Sequence, residues 1–106
     1  ISGDDPITLQ MIAQGAEGVI SVVANAYPLD FSNMVRYCLQ GDFAKAKPLH
    51  DKYIDVIASM FTEGSPSGVK AYLNEMGLCK NTFRLPVWKV SEKHLQKIKE
   101  LMKSVS

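Results

Sequence analysis

The sequence predicts an α/β protein in which one short buried strand gives way to a run of helices, and three observations carry that expectation. The first is the stretch Val19-Ile20-Ser21-Val22-Val23, a β-branched run bounded by Gly18 in front and Asn25-Ala26-Tyr27-Pro28 behind. A run this short and this apolar reads as a strand covered on both faces, the habit of parallel sheets. The second is its setting: one helical pattern ends at Gly15, just before it, and another begins after Pro28. Helix, strand and helix joined by tight connections are the grammar of α/β proteins. The third is that everything after about Asp30 carries helical spacing. The strand is therefore expected to be the last of a barrel or open sheet, with a helical appendix behind it.

Each element has its own warrant. Asp4 or Asp5 is placed to cap a helix whose first turn holds Pro6, where a missing N–H does no harm. Ile7, Leu9, Met11, Ile12 and Ala16 supply its buried side, and Gly15 closes it. Tyr27-Pro28-Leu29-Asp30 reads as a turn with Asp30 as N-cap of the next helix, whose inner face is Phe31, Met34, Val35, Cys38 and Leu39 and whose end is Gly41. Asp42 caps again, and Phe43 to about Thr62 is the longest helix expected. Pro48 lies inside it and cannot bond the Ala44 carbonyl, so a kink or an opened turn is expected there. Glu63-Gly64-Ser65-Pro66 breaks the pattern. A helix with Val69, Tyr72, Leu73 and Met76 inward then runs to Gly77, and Lys80 to Lys89 crosses as a loop. Ser91 caps a last helix with Leu95, Ile98, Leu101 and Met102 against a lysine-rich outer face.

Composition sets bounds on function. The chain has 106 residues, enough for one small domain with a modest core, and its 46% hydrophobic and 22% charged content is ordinary for a globular protein. A net charge of +1 gives no electrostatic case for nucleic acid or an anionic membrane surface. No apolar run approaches the roughly 20 residues that span a bilayer. Cys38 and Cys79 lack metal-ligand spacing and read as free buried thiols of a reducing cytoplasm. The opening Ile1-Ser2-Gly3-Asp4 looks like the end of a strand feeding a helix, so the chain is expected to be a piece of a longer protein.

Several residues invite sharper readings. Asp4 and Asp5 have no third ligand beside them, and helix capping explains them better than a metal. His50 and Asp51 are neighbours on a helix and point apart, which argues against an acid/base pair. Lys93, Lys97, Lys99 and Lys103 form a solvated face.

Taken in order, Ser2-Gly3-Asp4-Asp5, Gly15-Ala16-Glu17-Gly18-Val19-Ile20-Ser21-Val22 with Ala24-Asn25, Gly41-Asp42-Phe43-Ala44-Lys45-Ala46, Gly68-Val69-Lys70-Ala71 and Arg84-Leu85-Pro86 resemble the dihydrodipicolinate synthase family across essentially the whole chain. That family sits among the pyruvate-dependent Schiff-base aldolases and lyases. The related N-acetylneuraminate lyases show Gly-Ile-Gly-Ser where this chain has Val19-Ile20-Ser21-Val22, which favours the synthases. The resemblance implies the last two βα units of a (β/α)8 TIM barrel over residues 1–41 and a C-terminal helical extension over residues 42–106. A whole barrel needs about 250 residues. It also implies a lyase that condenses pyruvate with aspartate semialdehyde in lysine biosynthesis, without metal or cofactor, as a cytoplasmic homotetramer.

By the same resemblance, the Schiff-base lysine and the tyrosine and threonine of the proton relay lie upstream of Ile1. No catalytic residue is expected in these 106, and the fragment alone is expected to be inactive. Lys70 falls in the extension and is not the nucleophile. Two substrate-binding positions carry over: Gly3, after the seventh strand, and Ile20, whose backbone faces the lysine and bound pyruvate. The residue types suit the chemistry. A lysine attacks a ketone only as the neutral amine, which a dry apolar wall favours; a glycine lets substrate approach the backbone closely. Ser65-Pro66-Ser67-Gly68 departs from the Asn-Pro-Ile-Pro usual in the family, which bears on local helix geometry. Helix Pro6–Gln14 is a candidate subunit contact, and an open edge on the Val19–Val23 strand favours self-association into a homo-oligomer. Two alternatives remain: another pyruvate-dependent aldolase of the same family, and a non-catalytic helical interaction module.

Overall fold

The computed structural model describes residues 1–84 and 88–105. Leu85, Pro86 and Val87 lie outside the described residues, so the Arg84-Leu85-Pro86 crossing is placed only at its first residue. The chain divides into two compact units, Ile1–Ile54 and Asp55–Ser106.

In the first unit, Ser2 pairs with Val19 in a single parallel bridge. The Ser2 N–H donates to the Gly18 carbonyl at 2.8 Å, and the Ile20 N–H donates to the Ser2 carbonyl at 2.9 Å. Between the paired residues run a 3₁₀ turn, Asp5–Ile7, and helix α1, Thr8–Ala13. This is a parallel crossover reduced to one rung. The expected strand Val19–Val23 is accordingly corrected. Only Val19 pairs, Val23 opens a second 3₁₀ turn, Val23–Asn25, and no extended strand forms among the described residues. Burial on both faces is corrected too: Val23 is fully buried, but Val19 and Val22 are half-buried and Ile20 is 77% exposed. The cause is local. The Asp5 carboxylate takes the Val22 and Val23 N–H groups, and two amides drawn to one oxygen cannot continue a strand ladder.

That carboxylate also changes the capping scheme. Asp4 stands at the N-cap of the 3₁₀ turn without a side-chain cap bond. Asp5 caps a turn, but the one that starts at Val23 rather than its own. Gly15 ends α1 at φ +108°, as a C-terminal glycine should.

Helix α2 spans Pro28–Leu39, with Phe31, Met34 and Cys38 buried at helical spacing. Val35 is only half-buried and Leu39 is 52% exposed, so the inner face is narrower than the apolar pattern. Asp30 is not its N-cap; Tyr27 holds that position without a side-chain bond. Asp30 instead accepts from the Tyr53 hydroxyl at 2.5 Å and from Lys52 Nζ at 3.3 Å. Tyr53 also stacks, tilted, on Tyr27 at 5.0 Å between centroids. Gly41, at φ +78°, closes the turn, and Asp42 Oδ1 caps helix α3 by accepting from the Lys45 N–H at 3.2 Å.

The Tyr53 bond holds the Asp30 carboxyl below its ordinary range, with Lys52 assisting. Burial and then the Asp30 bond and charge push the Tyr53 phenol upward. A depressed carboxyl contributes stability above the unfolded value, about 3.9, and loses it as pH falls through the folded one. A raised phenol contributes below about 10 and loses its share as pH climbs past that. Tyr53→Phe is therefore expected to cost about 1 kcal/mol at neutral pH. The gap from wild type should narrow at both extremes. Denaturation followed from acid to alkaline pH checks this; a gap independent of pH would contradict it.

Helix α3 spans Phe43–Phe61. It runs through Pro48 as one continuous helix. Ala44 and Pro48 are both exposed, so water can satisfy the carbonyl that Pro48 leaves unbonded.

The second unit, from Asp55 onward, has a core of Val56, Ile57 and Met60 from α3, Val69, Ala71 and Tyr72 from α4, Ser67–Glu75, and Ile98 and Val105 from α5, Glu92–Val105. A polar chain threads it. The Ser59 hydroxyl meets the Tyr72 hydroxyl at 2.6 Å and donates to the Val56 carbonyl, and His94 Nε2 lies 2.7 Å from the Ser59 carbonyl. His94 is 5% exposed, a buried position that the apolar stripe of α5 did not reveal. Ser91 caps α5 as expected, accepting from the His94 N–H at 3.2 Å. Glu63, 28 residues earlier, holds that cap in turn, accepting from the Ser91 N–H at 2.7 Å and the Ser91 hydroxyl at 2.6 Å. These bonds keep the Glu63 carboxyl below its usual range.

Candidate substrate-binding site at the paired strand ends

The bridge between Ser2 and Val19 sets the two sequence-predicted site residues at adjacent chain ends. Gly3 follows one partner and Ile20 follows the other, in parallel, so both sit just past the C-terminal side of the pair. A barrel builds its active site on that side.

The Gly3 corner is fixed by hydroxyls. The buried Ser2 hydroxyl accepts from the Asp4 N–H at 3.2 Å and lies 3.4 Å from the Thr8 hydroxyl, which donates to the Asp4 carbonyl at 3.0 Å. Ser2 and Thr8 are both fully buried, so this knot is shielded from water. Gly3 itself is exposed. A Cβ built on it would meet nothing within 4 Å, and its backbone is not in the left-handed region. Neither packing nor backbone strain in these residues requires a glycine there. An open approach to the main chain is what the position offers.

Ile20 is held by its N–H, bonded to Ser2, while its side chain stands clear. Its carbonyl accepts from none of the described residues. Val19 and Ser21 face elsewhere. They border a groove of about 370 Å³ with Phe31, Val35 and Arg36, which Ile20 and Gly3 do not line. The apolar wall expected from Ile20 is thus a projecting side chain rather than a core position.

Asp5 is the residue that sequence reasoning misplaced. It is 3% exposed, its Oδ2 accepts from the Val22 and Val23 N–H groups at 3.0 and 2.9 Å, and its Oδ1 is buried without a partner among the described residues. The available signal was a second aspartate beside a helix start that needs only one.

The other titratable candidates stand elsewhere. Lys70 donates to the Thr82 carbonyl at 2.5 Å and lies 4.6 Å over the Phe83 ring, so its ammonium is already engaged. Asp51 is exposed and pairs with Lys47 at 2.6 Å, a solvated helix face. Cys38 is a buried free thiol, pushed up by burial, and Cys79 is free but only half-buried. No helix among the described residues is long and apolar enough to cross a membrane.

Known proteins place this geometry in context. A model of the dihydrodipicolinate synthetase family matches residues 1–105. The chain is 54% identical over 87 residues to the 4-hydroxy-tetrahydrodipicolinate synthase of Phocaeicola vulgatus, covering 82% of this chain and 29% of that protein. It superimposes on the crystal structure of dihydrodipicolinate synthase from Aquifex aeolicus with a TM-score of 0.94 at 39% identity, over 97% of this chain and 35% of that one. A chloride-inhibited dihydrodipicolinate synthase from Acinetobacter baumannii, complexed with pyruvate, gives 0.94 at 33% identity, over 98% and 36%. The chain thus spans about a third of the length of the relatives it matches. The expected architecture, the last βα units of a barrel followed by helices, is the one these relatives share with it. On the match of sequence and backbone together, the chain belongs to the dihydrodipicolinate synthetase family.

Proposed function

We propose that these residues form the C-terminal third of a Schiff-base lyase that condenses pyruvate with aspartate semialdehyde on the route to lysine. The observation that carries the reading is the Ser2–Val19 bridge, which sets the open Gly3 backbone beside the unbonded Ile20 carbonyl. In this reading, a lysine from the remaining two thirds of the enzyme attacks the pyruvate ketone. A carbon–nitrogen double bond forms and the ketone oxygen leaves as water. Gly3 leaves room for the substrate. The Ile20 carbonyl accepts a hydrogen bond from the lysine nitrogen, and its side chain helps to exclude water from the amine. Residues 1–41 complete the barrel and residues 42–106 form the extension. The complete enzyme works in the cytoplasm as a homo-oligomer, a homotetramer by family likeness.

Borohydride trapping tests this directly. Reduction in the presence of pyruvate is expected to leave the 106-residue chain unmodified and to fix one pyruvate per chain of the complete enzyme, read by intact mass. An adduct on Lys70 of the isolated chain would overturn the assignment, because Lys70 lies in the extension.

A further inference from the structure

We infer that Asp5 is a positioning residue for this site, and that its carboxylate fixes the direction of the Ile20 carbonyl. The inference rests on the proposed role of that carbonyl. Its geometry is independent of it. The Ile20 N–H is tied to the Ser2 carbonyl at 2.9 Å. The next amides held by the N-terminal segment are those of Val22 and Val23, both on Asp5 Oδ2 at 3.0 and 2.9 Å. The Ile20 carbonyl therefore lies between two anchored points, one on Ser2 and one on Asp5. Among the described residues a single bridge, at Ser2 and Val19, pairs the two segments, and the amides beyond Ile20 that the N-terminal segment holds are held by Asp5.

The choice of residue points the same way. A short helical turn leaves its first N–H groups without partners, and serine, threonine or asparagine would satisfy them as well as aspartate. The Asp5 side chain sits where the residue is 3% exposed, and its Oδ1 is buried without a partner among the described residues. An unsatisfied buried oxygen is costly, and such costs concentrate where function requires a fixed geometry. One carboxylate oxygen takes both amides, at 3.0 and 2.9 Å, and so ties two consecutive residues to a single point. Stability alone does not account for an aspartate here; holding a turn rigidly does.

The test uses the complete enzyme with Asp5→Ala and Asp5→Asn, and reads kcat, the KM for pyruvate, and hydrogen exchange at the Val22 and Val23 amides. Asp5→Ala is expected to speed exchange at both amides at least tenfold. It should lower kcat about a hundredfold, the scale of a misplacement near 1 Å, while shifting the KM less than threefold. Asp5→Asn keeps an acceptor oxygen and should retain protected amides and kcat within tenfold of wild type. Wild-type kcat in Asp5→Ala would overturn the inference. Should Asp5→Ala fail to fold, Asp5→Asn decides alone: protected amides with kcat reduced a hundredfold would mean that something other than positioning is at work. Failure of the functional reading is distinguishable, because the wild-type enzyme would then trap no pyruvate, and the exchange rates would still report whether Asp5 holds the turn.

Discussion

Gly68→Ala is expected to destabilise the protein by about 3 kcal/mol or more, the upper end of what overpacking costs. A Cβ at this position would lie 2.2 Å from the Met60 carbonyl oxygen and 2.6 Å from the Met60 carbonyl carbon and Cα. These are backbone atoms of α3, so no rotamer change can relieve the clash; one helix must move. Gly68 and Val69 are buried and Met60 is fully buried, which leaves little slack around the contact. Against a total stability of roughly 5–15 kcal/mol for a domain, a loss of this size is severe. Thermal or denaturant unfolding of the chain or the complete enzyme measures it. An unchanged midpoint would show that the start of α4 can back away from α3 without penalty.

Gly3→Val should do the opposite: leave folding alone and disable the site. The added side chain meets nothing within 4 Å of its Cβ, and the backbone is one that any residue adopts. The melting temperature of the complete enzyme should therefore stay close to wild type. The branched side chain would occupy the approach to the main chain, and a substrate held away by an ångström or more loses about a hundredfold in rate. Borohydride trapping should fall in parallel. A folded Gly3→Val enzyme that traps pyruvate at the wild-type rate would remove Gly3 from the site.

The helices were legible because their signals are local. Gly15, Gly41, Gly64 and Gly77 each take a positive φ near a helix end, and the spacing of Phe31, Met34 and Cys38 or of Tyr53, Val56, Ile57 and Met60 is a single buried stripe. The Val19–Val23 segment misled for a physical reason. Its β-branched residues favour extended backbone, but two of its amides are taken by a side chain 17 and 18 positions earlier, and no local pattern announces that. Asp30 misled in the same way, since its partners Lys52 and Tyr53 lie on another helix. Gly3 and Ile20 stand out only through family likeness. Neither carries a charge or a nucleophile that would single it out, and the use proposed for them lies in backbone that two bridged residues bring side by side.

The double grip of Glu63 on Ser91 has a kinetic consequence. Closing a loop of this length costs entropy that must be supplied before the two bonds form. The cap of α5 is therefore expected to form late in folding, after α3 and α4 have brought Glu63 and Ser91 within reach. Interactions made after the barrier slow unfolding without speeding folding. On that order of events Glu63 would lengthen the lifetime of the native state beyond what the packing of Ile98 and Val105 gives it.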